Sequence, residues 1–98
     1  MASYVLAHVE VVDRLAYREY AAAVIQQLAE VGGKILAAGP SQTLEGSAMT
    51  NHNVILEFPD EESARRWFES DAYQAIIPLR HAASSSSQVS IVPGWDDP

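Results

Sequence analysis

The sequence predicts a small α+β domain with the element order β-α-β-β-α-β. Three observations carry this. Four short runs are rich in β-branched or alternating apolar residues: YVLAHVEVV at 4–12, KILAA at 34–38, NVILEF at 53–58 and QVSIV at 88–92. Two longer stretches, opening at Arg14 and Glu61, place apolar residues at helical spacing. Each is preceded by an aspartate suited to cap it, Asp13 or Asp60.

The first strand alternates. Val5, Ala7, Val9 and Val11 form a purely apolar face that suits packing on helices. Tyr4, Leu6, His8 and Glu10 form a mixed face that suits a cavity or an interface. The first helix is expected over 14–31, with Leu15, Tyr17, Ala21, Val24, Ile25 and Leu28 as its apolar positions. Gly32-Gly33 ends it, because glycine takes the left-handed cap conformation at little cost.

The second strand is expected over 34–38, bending at Gly39-Pro40, with Thr43-Leu44-Glu45 extending it and a polar loop over 46–52. The third strand points Val54, Leu56 and Phe58 one way and Asn53, Ile55 and Glu57 the other. The second helix covers 61–69 and buries Ala64, Trp67 and Phe68. Ser70-Asp71 interrupts it, helical character resumes over 73–82, and Pro78 predicts a break or kink there. Ser84–Ser87 reads as a polar linker to the fourth strand at 88–92, and 93–98 as a tail carrying Trp95.

Right-handed crossovers turn this order into the ferredoxin-like arrangement: an antiparallel four-stranded sheet with the helices on one face. The other face would carry Tyr4, Leu6, His8, Lys34, Leu36, Ile55, Glu57 and Ser90. It is too apolar for open water, and a second copy is the simplest cover, because a two-fold contact uses one surface twice. The expectation is a single domain over residues 1–98 that forms a homodimer with its two sheets closed into one barrel.

Bulk properties restrict the function classes. The net charge is -7, from six Lys and Arg against thirteen Asp and Glu, which disfavours nucleic acid. No cysteine is present, so disulfides, thiolate metal sites and a cysteine nucleophile are excluded, and a cytoplasmic protein is expected. No signal segment precedes the first strand, and no apolar run approaches the ~20 residues that span a bilayer, so no membrane association is expected.

Polar residues on the mixed face are the candidates for chemistry. His8 exchanges protons near neutral pH, or serves as a hydrogen-bonded interface histidine. Glu57, on a neighbouring strand, is expected to approach His8 or Glu10. It is read either as a general base acting on a carbon acid or as a structural partner of Lys34 or Arg80. Tyr4, Lys34, Asn53, Tyr73 and Arg80 are the candidate substrate-binding residues, with Arg80 suited to clamp a carboxylate. Ser70 reads as a helix cap rather than a nucleophile. His8, His52 and His81 lack metal-ligand spacing, and Gly32-Gly33 is a helix stop and not a phosphate loop. Neither metal nor cofactor is expected.

The segments GGKILAAG (32–39), LEG (44–46) and VILEFPDEESARRWFESDAYQAIIPLRHAASSS (54–86) resemble the uncharacterised domain-of-unknown-function family numbered thirteen-thirty. The likeness runs from Tyr4 to Gly94. Its most specific parts are EFP, W-F-x-S-x-x-Y-Q and P-L-R. The resemblance implies the dimeric α/β-barrel superfamily, which also holds cofactor-free monooxygenases, polyketide cyclases, muconolactone-type isomerases and chlorite-dismutase-like haem proteins. It implies the fold and the dimer, not a reaction. The family pattern has an arginine near Ala38, and a tryptophan and a basic residue near Ala48 and His52. Those departures imply a partly lost ligand site or a less polar, less anionic ligand.

The expected function is small-molecule binding in a dimeric barrel, with a small apolar or carboxylate-bearing ligand. The sharpest form is cofactor-independent isomerase, cyclase or monooxygenase chemistry that uses His8 and Glu57 for proton transfer. The alternatives are a non-catalytic metabolite binder and a structural dimer whose interior its own side chains fill.

Overall fold

The computed structural model of the chain describes residues 1–95. The elements run β1 (Ser3–Val11), α1 (Arg14–Val31), β2 (Lys34–Gly39), β3 (His52–Phe58), α2 (Glu61–Glu69), α3 (Asp71–Ala83) and β4 (Ser84–Pro93). The four strands form one sheet in the order β2-β3-β1-β4, and every adjacent pair is antiparallel. This is the ferredoxin-like α+β arrangement.

The core lies between the sheet and the helices. Val5 and Val9 of β1 and Leu56 and Phe58 of β3 pack under Tyr17, Tyr20, Val24 and Leu28 of α1, with Ala64, Trp67 and Tyr73 closing the cluster. An aromatic chain links the helices: the Trp67 and Tyr73 rings are 4.2 Å apart, and Phe58 and Phe68 flank them at 5.4 and 5.2 Å. Tyr20, outside the apolar stripe drawn from the sequence, is buried. Leu15 and Ile25, inside that stripe, are 73% and 57% exposed. The buried stripe is narrower than the apolar one and follows Tyr17, Tyr20, Val24 and Leu28, the three- and four-residue steps of one helix face.

Local chemistry fixes the ends. Asp13 accepts from Ala16 N and Asp60 from Ser63 N, as expected of N-caps. Gly32 sits at φ 72° and closes α1 in the left-handed conformation. Gly33 serves a different need: a Cβ there would stand 2.8 Å from Leu28 Cδ2 and 3.1 Å from Phe58 Cε1, so a larger residue at the α1–β2 corner would displace the Leu28 and Phe58 side chains.

Four sequence expectations change. Thr43-Leu44-Glu45 does not extend β2; the segment is irregular, and Leu44 is 99% exposed with no strand beside it. The serine run is not a linker. Ser84, Ser86 and Ser87 pair with Val11, Glu10 and Val9, because the C-terminal half of β1 needs a backbone partner and an edge strand tolerates polar side chains. Helix passes into strand directly at Ser84, whose hydroxyl donates to Arg80 O at 2.7 Å, while Val12 N and Asp13 N donate to Ala83 O. Pro78 does not break its helix, since α3 runs through it. Ser70, rather than Pro78, separates the helices: its Oγ accepts from Tyr73 N and donates to Trp67 O.

The fourth change concerns β2. Lys34 opposes Glu57 and Ile35 opposes Leu56, but Ala37 opposes Ile55, so Leu36 is a bulge with no partner in the ladder. The extra residue reverses the faces beyond it. Ala37 joins Ile55 on the outer side and Ala38 joins Val54 on the helix side, opposite to simple alternation from Lys34.

The outer sheet face is open in the single chain. Leu36 and Ile55 are 51% and 38% exposed, and Tyr4, Leu6 and His8 are half-buried between their neighbours. Of the tail expected at 93–98, Pro93 closes β4 and Gly94 N donates to Ala2 O at 2.9 Å. Residues 96–98 lie outside the described residues. Among the described residues no helix is long and apolar enough to cross a membrane.

Candidate functional site

The antiparallel register decides which candidates meet. On the outer face, β1 presents Tyr4, Leu6 and His8, and β3 presents Glu57, Ile55 and Asn53 directly opposite them. His8 is therefore paired with Asn53, and Tyr4 with Glu57. Four residue steps along the strand separate the two pairs, about 14 Å at ~3.4 Å per residue. Glu57 does not approach His8 or Glu10, because the register gives those positions to Asn53 and to the loop. Glu10 instead accepts from Asn51 N at 3.0 Å.

The His8–Asn53 pair has a defined polarity. Asn53 Nδ2 donates to Thr50 O at 2.9 Å and points at Gly39 O at 3.5 Å, so its Oδ1 is the acceptor end. That oxygen takes the Thr50 hydroxyl at 2.9 Å and contacts His8 Nδ1 at 2.9 Å. His8 Nδ1 must carry the proton, and in the neutral ring Nε2 is left as an acceptor. Beside this pair lies a depression of about 370 Å³. Leu6, Ile55 and Met49 supply apolar walls, and the Gly39-Pro40 bend forms its rim.

The second pair is a single hydrogen bond. The Tyr4 hydroxyl donates to Glu57 Oε2 at 3.1 Å. That hydrogen bond, reinforced by the carboxylate's charge, raises the Tyr4 pKa above 10.0, so Tyr4 remains a donor. Lys34 stands across the ladder from Glu57 and is exposed. Among the described residues the ion pairs are Glu61–Arg65 and Glu62–Arg66, both exposed and within α2; Lys34 and Arg80 do not pair with Glu57.

Tyr73 and Arg80 lie on the other side of the sheet. Tyr73 is fully buried and Arg80 is 6% exposed. Arg80 Nη1 donates to the Tyr73 hydroxyl at 2.5 Å and reaches the Tyr20 hydroxyl at 3.4 Å, and the two hydroxyls are 2.6 Å apart. Its Nε has no partner among the described residues. Burial, and then the Tyr20 phenol, push the Tyr73 pKa up against the opposing pull of Arg80. This cluster ties α1 to α3. Its guanidinium sits in the last turn of α3, where the helix dipole favours a cation. It does not line the outer depression.

His8, His52 and His81 are three separate sites. His52 stacks edge-on against Tyr17 on the helix side, with ring centres 4.9 Å apart, and His81 Nε2 lies 3.4 Å from Arg80 Nη2. Sequence reasoning missed Thr50, Asn51 and Tyr20. Asn51 closes the loop by accepting from Val11 N at 2.8 Å and donating to Val11 O at 2.9 Å. The signal was the consecutive polar run Thr50-Asn51-His52-Asn53, whose loop-like composition hid a strand edge.

Fold and outer-face depression together define a ferredoxin-like α+β protein with an open apolar sheet face and one oriented histidine in it. The chain belongs to the family described as Domain of unknown function (DUF1330), whose model matches residues 2–95. Solved structures agree in fold. A protein of unknown function from Rhodopseudomonas palustris is 18% identical with a TM-score of 0.79, covering 97% of this chain and 83% of its own. A dimeric ferredoxin-like protein of unknown function from Jannaschia is 15% identical with a TM-score of 0.79, covering 96% and 100%. A Caulobacter crescentus protein provisionally named an antibiotic biosynthesis monooxygenase is 11% identical with a TM-score of 0.59, covering 97% and 91%. No curated protein matches the chain in sequence.

Proposed function

We propose that the chain is a homodimer, its two outer sheet faces opposed, which binds a small molecule in the depression beside His8. The observation that carries this is the His8–Asn53 pair: a ring held by Nδ1 with Nε2 left as an acceptor, among apolar walls. A second copy over Leu6, Leu36 and Ile55 removes exposed apolar surface and turns an open depression into an enclosed one. The dimeric ferredoxin-like protein from Jannaschia supports this assembly by fold likeness.

Within that site His8 Nε2 takes a proton from a carbon acid, and the resulting imidazolium keeps its Nδ1–H on Asn53. This suits cofactor-independent isomerisation, cyclisation or oxygenation of a small apolar or carboxylate-bearing substrate. The provisional name of the Caulobacter protein lies in the same range. Glu57, engaged by Tyr4, and Lys34 beside it stand at the far end of the face and bind the polar end of a ligand rather than share a proton with His8. Tyr73 and Arg80 support the fold from behind the sheet.

A second reading rests on Leu36 and Ile55: in a closed dimer these side chains fill the interior and leave no ligand space. One experiment separates the two. Small aromatic and polyketide-like acids are screened by thermal shift on the intact protein, and product formation from any hit is compared in wild type, His8→Gln and Glu57→Gln. The proposal requires a stabilising hit, with turnover lost in His8→Gln and retained in Glu57→Gln. Absence of any hit favours the filled dimer; binding with equal turnover in His8→Gln removes His8 as the base.

A further inference from the structure

A second concavity lies on the helix side of the sheet, between α1 and the β2–β3 edge. Tyr17, Ala21 and Ile25 form one wall, and Ile35, Ala38 and His52 the other. A hollow of about 80 Å³ reaches inward to Tyr20 and Trp67 and opens into one of about 320 Å³. The β2 bulge places Ala38 on the helix side, and its small side chain leaves this groove open. Ile25 and Ile35 remain 57% and 43% exposed at its rim, two large apolar side chains that the core leaves unused.

The charge distribution around the groove is uneven. Arg14 and Arg18, one turn apart on α1, line the outer hollow. Neither forms an ion pair among the described residues. Behind the floor, the Arg80 guanidinium carbon stands 5.7 Å from the centre of the Tyr20 ring, also without a carboxylate among the described residues. Two of the six cations of a chain with net charge -7 thus line one groove. Both nitrogens of the His52 ring lack hydrogen-bond partners among the described residues, although the ring packs on Tyr17. Burial, then the nearby Arg14 charge, lower its pKa below 6.5, so it stands neutral at pH 7 and offers a polar contact without adding charge.

We infer that this groove binds a small amphipathic anion: a naphthalene-sized apolar or aromatic body against Tyr17, Ala21, Ile25 and Ile35, with its carboxylate or sulfonate on Arg14 and Arg18. Apolar walls supply affinity through burial, and the guanidiniums select the head group through charge-assisted hydrogen bonds. The groove and the His8 depression open on opposite faces of the sheet and share only Ala38 and Val54 at the β2–β3 edge.

The test uses the intact protein and two fluorescent probes, anilinonaphthalene sulfonate and its neutral relative phenylnaphthylamine. Wild type binds both saturably, one per chain. The double variant Arg14→Gln, Arg18→Gln changes only exposed side chains. It weakens the sulfonate about tenfold and moves the neutral probe by no more than about twofold. Ala21→Trp fills the groove and abolishes binding of both probes; should it fail to fold, the arginine variant decides alone. Three results overturn the inference: no saturable binding in wild type, equal sulfonate affinity in the arginine variant, or loss of binding in Ile55→Trp on the opposite face with retention in Ala21→Trp.

Discussion

His8 Nδ1 and Asn53 Oδ1 face each other across the β1–β3 ladder at 2.9 Å, and Asn53 is itself held by Thr50 from both ends of its amide. The histidine is thereby set in one tautomer by a three-residue polar network at the mouth of a strand. Replacing Asn53 with alanine removes the acceptor and leaves His8 and Thr50 without their partner. Unfolding free energy should fall by about 1–3 kcal/mol. Nitrogen NMR of the His8 ring should change from one Nδ1–H tautomer to a mixture. An unchanged tautomer in Asn53→Ala would show that something other than Asn53 orients the ring.

Legibility in the sequence followed the strength of the local signal. Asp13, Gly32 and Asp60 fixed three helix ends because capping is a property of a few adjacent residues. Alternation placed His8 and Asn53 on one face but not opposite each other. Register is set by the whole ladder, so the expected His8–Glu57 approach gave way to His8–Asn53 and Tyr4–Glu57. The bulge at Leu36 was hidden for a related reason: KILAAG alternates acceptably in either phase, and only pairing with β3 selects one. Ser84–Ser87 carries no apolar pattern, and its strand conformation comes from the backbone demand of β1. Arg80 looked like a ligand clamp because sequence does not reveal that Tyr20 and Tyr73 already engage it.

That engagement makes a comparative prediction. In Tyr73→Phe the buried guanidinium keeps only its long 3.4 Å contacts to Tyr20 and His81, and the Tyr20 hydroxyl loses its 2.6 Å partner. The cost should be about 2–3 kcal/mol, as for other hydrogen bonds to a charged group. Arg80→Met removes the cation together with its unpartnered Nε, keeps most of the side-chain volume and leaves the two phenols bonded to each other. It should cost less than about 1.5 kcal/mol. Urea unfolding of both variants checks the order; a larger loss in Arg80→Met would mean that the guanidinium itself, rather than its satisfaction, stabilises the helix layer.

Alkaline unfolding should follow the buried phenols. Burial, chiefly, then Tyr20's charge, raise the Tyr17 pKa from 10.0 to about 12. The folded state therefore holds this proton more tightly than the unfolded chain does. Its contribution to stability is complete below pH 10 and is lost as pH climbs through 12. Tyr73 acts in the same direction. The urea midpoint should fall over this window while changing little between pH 7 and 9 on account of these groups. Tyr17→Phe should flatten part of the fall, and tyrosinate absorbance should lag behind that of free tyrosine. A Tyr17→Phe profile superposable on wild type would mean that Tyr17 titrates normally in the fold.

The outer sheet face gives the last test, through Ile55. This residue lies between Leu6 and Ala37 on the face, is 38% exposed in the single chain, and points away from the helix-side core. A glutamate there therefore leaves the monomer fold intact but places a charge at the centre of any sheet-to-sheet contact, where it must be desolvated twice, once per copy. Wild type should sediment at twice the chain mass. Ile55→Glu should sediment as a monomer, with far-ultraviolet circular dichroism like that of wild type and a lowered melting temperature that no longer depends on protein concentration. The same substitution at Leu15, which is 73% exposed on α1, should leave the dimer undisturbed. If Ile55→Glu remained dimeric while Leu15→Glu dissociated, the copies would meet through their helices, and the His8 depression would stand open to solvent.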